Sequence, residues 1–344
     1  MIFAPHTLEL RLTLDTKKFK NLKDKAYKNA KGKNYRVHPD KKNRNIHVDH
    51  ALKDKGITIK YQDDRYKKKI RLIVNPTEVL GGDDVKKLWR PNKDNIYKLL
   101  RKLDKYIDDY FESKYKMNDF RLARIDFTIN IDVGDKKTVT AYIKILQKIG
   151  KVKLFSPKFN REEKANEAFN DADSFDLEGN SNDIGFSIYD KAAQLRHKKD
   201  ERHTLATGIL RIEVRINKSK AISKLTKETI TAKQIMDLTL NSKEIFLATF
   251  IHIVPYGDYY KKKQAIKIVE DNVSKKKLKD KMIKLIELIP KRKSLLLAQK
   301  ELKSRNLSKI LLQFARLNVS PVTIPKSVNK KHLDGLYKYL KIDI

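Results

Sequence analysis

The sequence predicts an α+β protein: an antiparallel sheet with helices on one face, followed by a basic helical domain. Three observations predict it. Arg124–Asn130, Phe186–Lys191 and Leu210–Asn217 alternate apolar and polar residues with the period of a strand. Asn92–Lys116 and Val139–Ile149 carry apolar residues at helical spacing. From about Lys218 onward the patterns are mostly helical and rich in lysine. Strands mixed with helices, then a run of helices, is the order of an α+β chain.

The elements follow in order. Leu8–Asp15 alternates strictly and reads as a strand. Gly56–Tyr61 and Lys69–Val74 read as two more, and Asn75-Pro76 ends the second, because proline cannot donate to a ladder. In the first helix Ile96, Leu99, Leu100, Leu103, Ile107, Tyr110 and Phe111 share a face; in the second Val139, Tyr142, Ile143, Leu146 and Ile149 do. Residues 156–183 differ. Between Arg161 and Asp183 stand 8 acids and 2 bases, which reads as a long acidic loop. Glu228–Phe250, Lys261–Ile289 and Lys293–Leu317 read as helices, separated by Pro255-Tyr256-Gly257 and by Pro290. The expected division is a sheet domain at 1–217 and a basic helical domain at 218–344, in which a helix-turn-helix would fit.

Composition narrows the function. A length of 344 residues suits about two domains, and 40% apolar content supports a folded core. No run of 18 apolar residues is present, so no spanning helix is expected, and the first residues lack a signal-peptide pattern. The absence of cysteine excludes disulfides and thiolate metal sites and fits a cytoplasmic protein. Lysine and arginine number 78 against 43 acids, a net charge of +35. Such a field attracts polyanions, and nucleic acid is the favoured partner. A membrane is disfavoured, because no basic stretch has a continuous apolar opposite face. Residues 17–71 hold 20 bases and 6 acids with Tyr27, Tyr35, Tyr61 and Tyr66 interspersed, a mixture suited to backbone neutralisation and base stacking. Residues 261–303 hold 15 bases and 5 acids.

The polar faces of the three alternating segments carry the chemistry. They present Arg124, Asp126, Thr128 and Asn130, then Ser187, Tyr189 and Lys191, then Arg211, Glu213 and Arg215. In one sheet these residues would offer a metal, a tyrosine nucleophile and a phosphate their partners. The alternative is a half-exposed antiparallel sheet whose mixed charges face water. Arg124-Ile125-Asp126 with Ile129-Asn130 is echoed by Arg211-Ile212-Glu213 with Ile216-Asn217, by duplication or by chance.

The array Leu122–Thr128, Ile188-Tyr189-Asp190-Lys191 and Leu210–Arg215 resembles rolling-circle replication initiators. It is similar to filamentous-phage replication endonucleases and small-plasmid initiators, and Ile73–Gly81 resembles the phage type. The resemblance covers residues 57–217. It implies a Rep/relaxase-like nuclease that nicks DNA and transfers strands, with a tyrosine joined to the 5′ phosphate and a 3′-OH freed for priming. Tyr189 would be the nucleophile. Lys191 would neutralise the phosphate or assist the tyrosine from the same strand face. Asp126 and Glu213 would serve Mg²⁺ or Mn²⁺, which suit oxygen ligands. Arg124, Arg211 and Arg215 would contact DNA phosphates, or else neutralise the two carboxylates themselves. The partners implied are an origin, single-stranded or cruciform, with a host helicase and polymerase; a homodimer is compatible. A mobilisation relaxase with the same chemistry and a non-catalytic DNA-binding protein are the rival readings. The chain departs from the family at Gln194, where many relatives have Glu, and lacks a His-hydrophobe-His pair. His47 and His50, spaced i and i+3, do not share a strand face; one is a ligand, or both are exposed in a basic loop. His197 and His203 read as surface residues. Tyr256, Tyr259 and Tyr260 stand in reserve as nucleophiles.

Overall fold

The computed structural model describes residues 1–31, 36–40, 43–83, 85–158, 173–303 and 307–342. Tyr35 and the stretch 159–172 of the acidic segment lie outside them. The strands are β1 (Ala4–Leu14), β2 (Val37–Pro39), β3 (Ile46–Asp49), β4 (Ile57–Asp63), β5 (Lys68–Val74), β6 (Arg121–Asp132), β7 (Phe155–Pro157), β8 (Ser174–Gly179), β9 (Ile184–Asp190), β10 (Ile209–Asn217), β11 (Tyr259–Tyr260) and β12 (His332–Leu333). The helices are α1 (Thr16–Ala30), α2 (Pro76–Val79), α3 (Lys93–Phe111), α4 (Lys136–Gln147), α5 (Lys191–His197), α6 (Ser219–Ile222), α7 (Thr231–Leu240), α8 (Ser242–Ile253), α9 (Lys262–Asn272), α10 (Lys276–Arg292), α11 (Leu295–Glu301), α12 (Leu307–Arg316) and α13 (Leu336–Leu340). The class is α+β. Hydrogen-bonded strand order is β2-β3-β4-β5-β1-β6-β10-β9-β8-β7, with β11-β12 a separate pair.

The chain forms two compact units, Ile2–Thr128 with Arg215–Ile245, and Ile129–Val214 with Phe246–Ile344. Each is built from sequence on both sides of residue 217.

In the first unit β1 pairs antiparallel with β5, Leu8 opposite Val74 and Leu10 opposite Leu72, and antiparallel with β6 on its other edge. Leu8, Leu10 and Leu12 are buried, as strict alternation requires of a strand with one apolar face. The turn into β4 needs glycine. Gly56 has φ 73°, and a Cβ there would sit 2.7 Å from Cβ of Glu78. Helix α3 starts where the Asn92 side chain accepts from the Asn95 N–H at 2.9 Å. It ends at Phe111, the last residue of the apolar face and short of the expected Lys116, because Glu112 turns left-handed with φ 53°. Helix α7 completes this core. Ile235 and Leu238 are fully buried, the Thr231 hydroxyl donates to the Phe120 carbonyl, and the Ser242 hydroxyl donates to the Phe3 carbonyl at 2.8 Å.

In the second unit β7, β8 and β9 pair antiparallel, with Ser174 opposite Tyr189 and Asp176 opposite Ser187. The acidic segment expected to be a loop therefore contributes two strands, β7 and β8. Phe175 and Leu177 supply the buried, alternating side chains that the surrounding acids obscure in the sequence. Helix α4 packs on β8 and β9. Pro290 does not end a helix as expected. It lies inside α10, close to the C-terminus, and the break comes at Lys293, where φ is 46°. The next turn is tied down by Leu295 N–H donating to the Ile149 carbonyl at 2.8 Å.

Candidate active site around Tyr189

Strand β9 delivers Tyr189 and stops one residue later. The Asp190 carboxylate accepts from the N–H groups of Ala192 and Ala193, at 2.8 and 3.2 Å, and so caps α5. Lys191 is consequently the first residue of a helix and not the last outward residue of a strand. The correction has a physical cause: an Asp followed by Lys-Ala-Ala-Gln-Leu is a helix start, and the cap overrides the alternation that precedes it.

The helix turn places three polar side chains in series. Lys191 Nζ donates to Gln194 Oε1 at 3.1 Å, a one-turn contact. Gln194 Nε2 donates to the Tyr189 hydroxyl at 3.1 Å, and that hydroxyl donates to Glu213 Oε1 at 2.5 Å. Arg211 also hydrogen-bonds the hydroxyl, and its Nε donates to Asn130 Oδ1 at 2.7 Å. The phenol thus gives one hydrogen bond, to Glu213, and accepts one from Gln194, with Arg211 beside it.

The polar faces of β9 and β10 are not open to water as alternation alone suggests. Lys191, Arg211 and Glu213 are 1%, 0% and 6% exposed, whereas Tyr189 is only partly buried. Charged groups tolerate such burial because they satisfy one another. Burial pushes the Tyr189 hydroxyl well above its ordinary range, the Glu213 carboxylate adds to the rise, and Arg211 opposes it. The resting group is a neutral phenol with its proton aimed at a carboxylate.

The remaining predicted site residues gather in the first unit. Arg124 grips Asp126 with two nitrogens, Nε to Oδ1 at 2.7 Å and Nη2 to Oδ2, and Arg215 Nε lies 3.7 Å from Oδ1. Asp126 is 1% exposed, so both carboxylate oxygens face guanidinium groups inside the protein. Beside this pair on β1, Glu9 receives Arg71 through two nitrogens, at 2.9 and 2.8 Å, and Arg11 at 2.7 Å. Burial would raise the Glu9 carboxyl, but these arginines hold it below its usual range.

Among the described residues one group of three His, Asp or Glu side chains lies within reach of a single ion: Asp258, His332 and Asp334. Sequence reading did not single it out. Lys338 Nζ sits 2.8 Å from Asp258 Oδ2 and 2.8 Å from Asp334 Oδ1, so an ammonium already occupies the cation position. His47 and His50 are half-buried and are not both exposed in a basic loop. His47 lies on β3 and shares a 2.7 Å hydrogen bond with the Tyr27 hydroxyl, and His50 meets His38 at 3.2 Å between Nε2 atoms. Of the reserve tyrosines, Tyr259 is 1% exposed and the Tyr260 ring packs against His332 at a tilt of 43°. The sequence marks Gln194 only as a departure from the family and Asn130 only as a polar-face residue; the contacts that join them to Tyr189 and Arg211 have one readable signal, the three-residue spacing of Lys191 and Gln194 behind a capping Asp.

No protein-family model matches the chain, and no curated protein matches it. Among solved structures, the rolling-circle replication initiator protein from Geobacillus stearothermophilus is similar over 73% of this chain and 85% of that chain, at 14% identity and a TM-score of 0.35. A likeness of that order does not extend to function. No helix among the described residues is long and apolar enough to cross a membrane.

Proposed function

We propose that this protein nicks DNA and transfers the cut strand through Tyr189, as an initiator of rolling-circle replication of a plasmid or phage. The observation that carries the reading is the hydrogen bond from the Tyr189 hydroxyl to Glu213 at 2.5 Å. A nucleophile within hydrogen-bond reach of a base, with further groups orienting both, is the arrangement nucleophilic catalysis needs. In the step, Tyr189 Oη attacks the scissile phosphorus and its proton passes to Glu213. The P–O3′ bond breaks, and the departing 3′ oxygen takes a proton to become the 3′-OH. Arg211 and the Gln194 amide donate to the phenolic oxygen and stabilise its developing charge. Gln194 therefore supports the tyrosine where an acid was expected, and Lys191 orients Gln194. The net charge of +35 supports a polyanionic substrate.

A divalent Mg²⁺ or Mn²⁺ would supply Lewis-acid polarisation of the phosphoryl oxygens. The residues do not fit one as arranged, because Arg124 fills both oxygens of Asp126 and Tyr189 occupies Oε1 of Glu213. Arg124 and Arg215 would reach DNA only by sharing their guanidinium with Asp126.

The test is a supercoiled plasmid carrying a candidate origin. Open circles and a covalent protein–5′-phosphate adduct are expected from the wild type. Binding without either product would favour the non-catalytic reading. Transfer of the same adduct in a mating assay, with no replication, would favour a mobilisation relaxase.

A further inference from the structure

Beside helix α4 the second unit holds a cavity of about 520 Å³, lined by Lys136, Lys137, Thr140, Ala141, Lys144 and the 327–330 loop. Lys137, Thr140, Ala141 and Lys144 follow the i, i+3, i+4, i+7 rule and form one stripe of α4. The stripe is small in its middle and cationic at its ends, which are about 10 Å apart along the axis. Ser327, Asn329 and Lys330 face it from the loop.

Two further lysines build that loop without entering the cavity. Lys148 Nζ donates to the Thr323 carbonyl at 2.7 Å. Lys261 Nζ donates to the Pro325 and Val328 carbonyls at 2.7 and 2.6 Å. The loop backbone is fixed from behind, which leaves its side chains to the cavity.

None of Lys136, Lys137, Lys144 and Lys330 makes an ion pair or a side-chain hydrogen bond among the described residues. Asp135, a carboxylate that feels Lys330, is exposed and engaged elsewhere: it caps α4 through the Thr138 N–H at 2.9 Å and hydroxyl at 2.7 Å. Four unpaired ammonium groups around one hollow repel each other unless an anion joins them. Among the described residues no aromatic ring and no carboxylate lines the cavity, so they offer no stacking platform and no cation site.

We propose that this cavity binds a ligand carrying at least two linked phosphates. The ends of the α4 stripe are too far apart to share one phosphate. The hydroxyls of Thr140 and Ser327 and the amide of Asn329 supply neutral donors to the phosphoryl oxygens between them. A nucleic-acid backbone and a free polyphosphate present the same chemistry. The site does not depend on the tyrosine reaction.

The test compares full-length protein with a quadruple variant, Lys136→Ala, Lys137→Ala, Lys144→Gln and Lys330→Ala. A charge-matched control alters four exposed lysines of the first unit, Lys93→Ala, Lys98→Ala, Lys105→Ala and Lys114→Ala. One arm titrates a labelled random-sequence single-stranded 20-mer (about 20 nucleotides, longer than the 4–16 nucleotide sites of single-strand binders) without divalent metal; the other titrates tripolyphosphate by calorimetry. Thermal melts confirm that all three proteins fold. In the oligonucleotide arm the quadruple variant should bind about tenfold more weakly at 0.15 M salt, with a log–log salt slope lower by about 1.4, or about 0.7 per phosphate contact. That loss confined to the oligonucleotide assigns the site to nucleic-acid backbone, and a loss confined to tripolyphosphate assigns it to a free polyphosphate. A variant indistinguishable from wild type in both arms, or from the control, overturns the proposal. Tyr189→Phe, which abolishes nicking if the proposed function holds, should leave both titrations unchanged, so either idea can fail alone.

Discussion

The hydroxyl of Tyr189 points its proton at Glu213 Oε1 across 2.5 Å, from a strand end that Asp190 converts into a helix start. The relationship is demanding. The phenol is pushed up by burial, so it does not ionise by itself near neutral pH, and any nucleophilic role requires Glu213 to take the proton during attack.

Replacing Tyr189 by Phe removes only that hydroxyl. Nicking and the covalent adduct should fall by at least about a thousandfold, the order seen when a nucleophile is removed. DNA affinity should stay within about twofold, since phosphate contacts made by lysines carry most of it. Stability should drop by about 1 kcal/mol for the lost hydrogen bonds. Persistence of a 5′-phosphotyrosine adduct in the variant would reject the assignment, and peptide mapping of the adduct would name its replacement.

Glu213→Gln keeps an acceptor near the phenol but cannot take its proton. Turnover should fall about 10²- to 10⁴-fold with little change in DNA affinity. The remaining activity should rise with pH, because hydroxide must then remove a proton that a carboxylate no longer accepts. A rate profile identical to the wild type would show that Glu213 only holds the ring.

Alkaline stability tests the buried phenols as a set. Burial is the leading cause that holds Tyr61, Tyr110, Tyr142, Tyr189, Tyr259 and Tyr337 above their ordinary range. An unfolded tyrosine ionises near 10. Above that pH the folded chain binds more protons than the unfolded one, so stability falls as pH rises. Each tyrosine contributes about 1.4 kcal/mol per pH unit, and together about 8 kcal/mol. Lys148, lowered to about 8 by burial and by Lys261, runs the other way between about pH 8 and 10.4, but it is one group against six. Melting temperature should therefore rise modestly from about pH 8 to 10 and collapse above it. A flat profile to about pH 12 would mean these hydroxyls are open to solvent.

Much of this was legible in the chain. Strict alternation at Leu8–Asp15, Leu122–Val133 and Leu210–Asn217 identified β1, β6 and β10, because side-chain period fixes which residues share a face. Period does not say whether the polar face is covered. Arg211 and Glu213 read as outward residues and are buried, since their partners Tyr189 and Asn130 come from other segments. The interleaving of the two units was equally hidden. It rests on contacts such as Thr231 with Phe120, more than 100 positions apart, that local patterns do not encode.

The Arg124–Asp126 pair separates two views of the site. If Asp126 were a metal ligand at rest, Mn²⁺ would bind the free protein and Asp126→Asn would abolish that binding. The geometry predicts otherwise: Mn²⁺ should bind weakly and equally to both proteins, because guanidinium groups already neutralise the carboxylate. The substitution should instead lower stability by about 3 kcal/mol, because it removes the negative charge that the guanidinium groups of Arg124 and Arg215 face. Calorimetric titration with Mn²⁺ and a thermal melt decide together. Loss of tight Mn²⁺ binding at an unchanged melting temperature would restore the metal role.

A chain ending at Lys218 would be the natural way to ask whether the helical portion chooses the origin. The structure predicts that this fragment does not fold. It would strip Ile222, Ile235 and Leu238 from the first unit and Phe246, Phe250 and Ile253 from the second, all 0–1% exposed. Burying six large apolar side chains is worth about 10 kcal/mol or more, comparable to the whole stability of a domain. The expected outcome is an insoluble or loosely collapsed product with no cooperative melt. Origin choice should be probed with the fold intact, by replacing the exposed Lys275, Lys276, Lys277 and Lys281 around α10 with Gln. Phosphate contacts position without reading sequence, so these changes should weaken origin and random duplex alike and leave their ratio at one ionic strength unchanged. A fall in that ratio would place base reading on this helix. A cooperative, soluble 1–218 fragment would show that the first 217 residues are a domain in their own right.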